Sequence, residues 1–214
     1  MTERIKDDMR SKHGSVTIRR HIHTAERKHK GNQMSTLYVM VGMPASGKST
    51  KAQEMAGKGV VRIASDLISK ELFGEEDILY MMDWLHDNGY DGPDDRKSKE
   101  TFANDLVFNI IFERCIDYLD RGFDVLTDST SCSRLVRKNV LDHVKNATRR
   151  VCIVMAVPFA VCEMRNKLRS RVVPDYAMKR IAGNFQFPSK EEGFDEIIYI
   201  GNKEDIDYGE AKSL

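Results

Sequence analysis

Gly42-Met43-Pro44-Ala45-Ser46-Gly47-Lys48-Ser49-Thr50 is the stretch that decides how this chain is read. It fits G-x-x-x-x-G-K-S, the phosphate-binding P-loop pattern, whose false-positive risk falls when a strand precedes it and a helix follows. Both flanks comply. Thr36-Leu37-Tyr38-Val39-Met40-Val41 is apolar and partly β-branched, as a buried parallel strand should be. Lys51-Ala52-Gln53-Glu54-Met55-Ala56 consists of good helix formers. Gly42 and Gly47 let the chain wrap with its amides pointing inward. Those amides and the helix N-terminus form an anion cradle spanning Gly42 to Thr50. Lys48 adds a charge for the β- and γ-phosphates, and Ser49 a hydroxyl for Mg²⁺. The stretch implies a nucleoside triphosphate ligand, ATP, with Mg²⁺.

The surrounding composition limits the alternatives. The 214 residues suffice for one α/β domain with a full core. The formal net charge is +1, so no global polycation announces nucleic acid. Residues 1–33 nevertheless carry nine Lys/Arg against four acids, a net of +5, which leaves −4 for the remainder. They lack hydrophobic periodicity, hold four of the six histidines, and are expected to be a flexible basic arm. His21-x-His23 lacks the Cys or carboxylate that would complete a metal site. Cys115, Cys132, Cys152 and Cys162 show no C-x-x-C spacing and read as reduced thiols of a cytoplasmic protein. No run approaches the roughly 18 apolar residues of a membrane span.

Beyond the P-loop helix, strands are expected at 60–64, 123–128, 151–157 and 196–200, separated by helices at 67–73, 97–120, 133–146, from 160 and at 175–184. This alternation predicts a parallel five-stranded sheet with helices on both faces, a P-loop NTPase or kinase-like α/β fold. The kinase domain is expected over 34–202. An acidic, frayed tail is expected over 203–214, and the acidic, turn-rich residues 75–95 as a flap or covering loop.

Ligands of open parallel sheets lie beyond the carboxyl ends of the strands. Besides the P-loop, two such ends carry carboxylates. Asp66, after the second strand, is the candidate general base for an attacking hydroxyl, against the alternative of a helix N-cap. Asp128, after the third, is placed like a Walker-B carboxylate that holds Mg²⁺. Arg165, Arg169 and Arg171 form an acid-free cluster. Residues 165 and 169 are expected to share one helix face and clamp the transferring phosphate as a lid. Lys70, Thr130, Arg134 and Arg137, with Lys138, are the candidate acceptor-side contacts.

Taken together, Gly42–Thr50, Ser65-Asp66, Asp128-Ser129-Thr130 with Arg134, Arg165-Asn166 through Arg169, and Val173-Pro174 follow the order seen in the kinase domain of phage polynucleotide 5′-hydroxyl kinases, which the chain resembles over about residues 36–201. Phe187-Pro188-Ser189 through Ile197 resembles the wider group of small P-loop kinases. The resemblance implies Lys48 and Ser49 on phosphates and metal, Asp66 as base, Arg169 as lid arginine, and a DNA or RNA 5′ end as partner. It implies host cytoplasm for a phage-encoded chain. Two departures stand out. Ser69 occupies the position where that family has an acceptor-binding Arg, and no D-x-D-x-T phosphatase or K-x-D-G ligase motif occurs. The competing expectations are a kinase of a small molecule or an aminoacyl-tRNA, and a non-catalytic nucleotide switch.

Overall fold

In a computed structural model, residues 34–74 and 95–208 are described. The expected basic arm, the expected flap up to residue 94 and the last six residues lie outside them. Five strands, β1 (Thr36–Val41), β2 (Val61–Ala64), β3 (Val125–Asp128), β4 (Arg149–Met155) and β5 (Glu196–Ile200), form one all-parallel sheet in the order β2-β3-β1-β4-β5. The helices are α1 (Lys48–Ala56), α2 (Ser65–Phe73), α3 (Arg96–Asp120), α4 (Arg134–His143), α5 (Phe159–Lys167) and α6 (Asp175–Gly183).

Successive strand residues point to opposite faces, and here both faces are covered. Leu37, Val39, Val41, Val125, Cys152 and Val154 pack on one side against α3 and α4, through Val107, Ile111, Cys115, Val140 and Leu141. Met40, Leu126, Val151, Ile153 and Met155 pack on the other, under Ala52 and Met55 of α1. A strand buried on both faces must be apolar at every position, which is why β1 and β4 read as continuous apolar runs. The strand order reverses at β1, so the P-loop emerges at the switch point where such sheets bind ligands.

α3 is expected from its i, i+4 apolar spacing, and its start is set locally: Asp95 is the N-cap and accepts from Ser98 N at 2.9 Å. The tail departs from expectation. Lys203, Glu204 and Asp205 are exposed, but residues 206–208 are packed, not frayed: Asp207 Oδ1 accepts from Phe159 N, the first amide of α5, at 2.7 Å, and the Tyr208 hydroxyl donates to Val157 O at 2.9 Å. The Tyr208 ring is buried in a third cluster with Met43, Phe159, Cys162, Met178 and Ala182. One apolar residue, Ile206, and one aromatic therefore recruit an acidic segment that composition alone assigns to solvent.

This strap ties the P-loop residue Met43 to α5 and α6. Tyr208→Ala should cost about 3–5 kcal/mol in urea unfolding through the cavity it leaves. Tyr208→Phe, losing only the hydrogen bond, should cost about 1 kcal/mol.

Candidate active site

The loop from Gly42 to Gly47 bends sharply, with positive φ at Gly42 (155°), Ala45 (62°) and Gly47 (93°). At Gly42 a Cβ would lie 2.8 Å from Ser46 Oγ and 3.0 Å from Met155 Cβ, so glycine is required by space as well as by conformation. Gly47 is the N-cap of α1, and no side chain caps that helix, which leaves its first amides facing the loop. Ser46 Oγ is buried and has no hydrogen-bond partner among the described residues. Lys48 is buried, and its ammonium donates to the carbonyls of Gly42 at 2.8 Å and Met43 at 2.7 Å. Burial lowers the Lys48 pKa, and the nearby Cys132, Asp128, Cys162 and Asp66 partly offset this. An orphaned hydroxyl, open helix amides and a desolvated cation in one concavity fit a polyphosphate.

Asp66 follows β2 and Asp128 ends the neighbouring β3, at the end of the parallel sheet where the P-loop leaves β1, so Lys48, Asp66 and Asp128 come to one rim. Asp66 is exposed and is the second residue of α2, whose N-cap is Ala64. The alternative of an N-cap role for Asp66 is thereby corrected: the helix begins at Ser65, two residues before the expected 67. Asp128 ends β3 opposite Ala64 and is buried. Its Oδ2 accepts from Arg62 Nε at 3.0 Å and Nη2 at 2.5 Å. Ser49, in the first turn of α1, is exposed. A hydroxyl and a carboxylate are hard oxygen donors suited to Mg²⁺, which characteristically takes few protein ligands and keeps water and phosphate oxygens. Among the described residues no group of three or more His, Cys, Asp or Glu could hold a metal unaided.

The arginines are distributed otherwise than expected. α5 ends at Lys167, so Arg165 lies on the helix while Arg169 and Arg171 lie on the turn beyond it. The expected shared helix face for 165 and 169 is corrected. The turn is closed by Asn166, fully buried, whose Nδ2 donates to Val173 O at 2.7 Å and whose Oδ1 accepts from Val173 N at 3.0 Å. That two-way clamp stops the helix and fixes the loop carrying Arg169. All three arginines are exposed.

Arg137 is the clearest correction. It is fully buried, pairs with both carboxylate oxygens of Glu192 at 2.8 Å, and donates to the carbonyls of Ser131 and Cys132. The guanidinium is consumed in holding the 189–193 turn against α4 and is not available to an acceptor. Lys138 pairs with Asp142, whereas Lys70, Thr130 and Arg134 are exposed. All four cysteines are free and buried, with burial pushing Cys115 and Cys152 up to about 12 and Cys162 to about 11, which makes them packing groups.

Sequence reasoning missed Arg62 and Asn166. A charged residue inside the run Val60-Val61-Arg62-Ile63-Ala64 was the available signal for the first. Asn166 carried no comparable signal, since its partner is seven residues away across a turn.

A family model described as AAA domain matches residues 37–188. The chain belongs to that family. Its five-stranded parallel sheet and P-loop have the kinase-like fold seen in solved structures. A sugar kinase from Janibacter sp. HTCC2649 in unliganded form is similar with a TM-score of 0.54 and 15% identity, over 81% of this chain and 90% of that one. A chain of the Pnkp1/Rnl/Hen1 RNA repair complex is similar with a TM-score of 0.54 and 19% identity, over 79% of this chain. The match spans only 49% of that repair-complex chain. Among proteins of curated function, none matches this chain. No helix among the described residues is long and apolar enough to cross a membrane.

The family member's buried Arg137 yields a stability prediction. Arg137→Ala leaves the Glu192 carboxylate buried without its cation and should cost about 3–5 kcal/mol by urea unfolding. Arg134→Ala, at an exposed position on the same helix, should change stability by no more than about 0.5 kcal/mol.

Proposed function

We propose that this protein is an ATP- and Mg²⁺-dependent phosphotransferase whose acceptor is the 5′-hydroxyl of a DNA or RNA strand. The observation that carries the reading is the placement of Asp66, an exposed carboxylate, at the same rim as the buried Lys48 and Asp128. ATP supplies the phosphoryl group; Ser49 and Asp128 would hold Mg²⁺, which would supply charge neutralisation at the phosphates. The amides of residues 42–49 and Lys48 hold the β- and γ-phosphates. Asp66 orients the attacking hydroxyl and accepts its proton. Arg165, Arg169 and Arg171 close over the phosphates from α5 and the turn that Asn166 shapes. Catalysis of this kind is mostly positioning and charge stabilisation, which is the work these groups suit.

If Asp66 plays this part, Asp66→Asn should lower kcat by about 10²-fold or more with little change in the KM for ATP. Retention of full turnover would remove Asp66 from the mechanism. Asn is an adequate residue in a first helical turn, so stability should hardly change.

The acceptor rests on the order of motifs shared with polynucleotide 5′-hydroxyl kinases, supported by the fold in common with a chain of an RNA repair complex. A small-molecule acceptor is the second reading, and the burial of Arg137 favours it, because one expected phosphate contact is lost. Among the described residues the exposed acceptor-side cations are then Lys70, Arg134 and Lys138, the last paired with Asp142 at the surface. Residues 1–33, with their net charge of +5, are proposed to add contacts to strand phosphates.

A panel of 5′-hydroxyl oligonucleotides, nucleosides and sugars with labelled ATP separates the two readings. For the oligonucleotide, affinity should fall with salt by a log–log slope of roughly 0.7 per phosphate contact, shallower after Arg134→Ala. Phosphorylation of a nucleoside or sugar, with no transfer to oligonucleotides at any salt, would replace the polynucleotide reading by the small-acceptor one.

A further inference from the structure

A cleft of about 790 Å³ opens between α3, α4 and the end of α6. Small-molecule sites usually measure roughly 300–1,000 Å³. Its inner end reaches the strand-end rim. Thr130, in its wall, lies two residues beyond Asp128, and the Gly42 amide of the P-loop donates to the sulfur of Cys132, also in its wall. The rest of the wall is of two kinds. Phe108 and Leu135 are apolar; the Phe108 ring leans on Phe112 with centroids 5.9 Å apart, and Leu135 is 77% exposed. Asn104 of α3, Asn139 of α4 and Asn184 at the end of α6 are exposed and line the same space. The charged side chains of the wall cancel. Asp105 and Asp142 stand against Lys138 and Arg180, and Lys138 is bonded to Asp142 at 2.8 Å.

A seat for strand phosphates would carry a surplus of cations, because each phosphate brings negative charge with it. This wall has no such surplus, and a phosphate drawn into it would meet Asp105 and Asp142. A side-chain amide presents a donor and an acceptor together, which matches the polar edge of a nucleobase. An aromatic ring with aliphatic neighbours takes the flat face of the same base.

We infer that this cleft seats the terminal nucleoside of the acceptor, with the base on Phe108 and its edge on Asn104, Asn139 and Asn184, while the strand phosphates stay outside. The inference rests on the reading of the acceptor as a 5′-hydroxyl end. It deepens that reading by naming what is recognised, the nucleoside that bears the hydroxyl rather than the backbone behind it. A nucleoside seated here directs its 5′-hydroxyl past Thr130 towards the phosphate cradle. The neutral wall then selects against an end that already carries a 5′-phosphate.

The test uses the full chain, labelled ATP and two 5′-hydroxyl oligonucleotides that are identical except that one lacks its terminal base. Wild type should show a KM about tenfold or more higher for the abasic strand, the loss expected of one stacked base, with kcat within about twofold. Asn139→Ala and Asn184→Ala, at exposed positions, should each raise the KM for the base-bearing strand about three- to tenfold and bring the two KM values together. Phe108→Ala should do so more strongly, and Phe108→Tyr, which keeps the ring, should recover most of the loss. Equal KM values for the two strands in wild type overturn the inference and leave the 5′-hydroxyl reading standing, because transfer is still seen. Folded asparagine variants that keep the full wild-type difference overturn it as well. Phosphorylation of a free sugar but of neither strand defeats the 5′-hydroxyl reading, and this inference with it.

Discussion

A desolvated ammonium inside a loop of backbone amides is the constraint on which the rest of this molecule depends. The Lys48 side chain is withdrawn from water and bonded to the carbonyls of its own loop, and burial weakens its hold on the proton. Such a group is expensive to bury, and the fold accepts the cost only because the loop is fixed from both sides. Met155 of β4 approaches Gly42 on one side, and Met43 enters the cluster of α5, α6 and the terminal strap on the other. The loop has little freedom to collapse around its cation. Rigid placement of donors ahead of the ligand is what makes such a cradle effective.

The same packing carries the loop's geometry outward. Met43, Phe159, Met178 and Tyr208 touch within one cluster, so the P-loop, α5, α6 and the strap move as neighbours. Asp207 at the first amide of α5 and Asn166 beyond its last turn define both ends of that helix. The exposed Arg165 is thus carried by a helix whose ends are fastened, and the exposed Arg169 by the turn that Asn166 closes. An arginine held this way is restrained in its backbone while its side chain is exposed, which suits the proposed phosphate contact.

What was legible beforehand follows a physical division. The P-loop, the five strands and the two strand-end carboxylates are written in local pattern: glycine where space forbids a Cβ, and apolar runs where both sheet faces are covered. The failures all involve partners distant in the chain. Arg137 looked like an exposed helix cation because Glu192 is 55 residues away. Ile206 and Tyr208 looked like tail because their cluster is assembled from the P-loop, α5 and α6. The helix read through Arg171 stops at Lys167 because a single buried amide prefers Val173 to the continuing backbone. Composition along a segment does not encode which of its charges will be consumed by pairing.

That distinction also separates the two carboxylates at the strand ends. Asp128 is buried and already engaged by Arg62, so it is fixed in direction and remote from an incoming alcohol. Asp66 is exposed at the start of α2. A metal ligand gains from a locked carboxylate plane, whereas a proton acceptor must meet a group that arrives from solvent. One acid follows β2 and the other ends the neighbouring β3, both within the field of one lysine, yet their surroundings differ. Exchanging them would put the proposed base behind an arginine and the proposed metal ligand in water. The assignment of roles therefore rests on burial and pairing, two properties that identical residue types in similar sequence positions do not share.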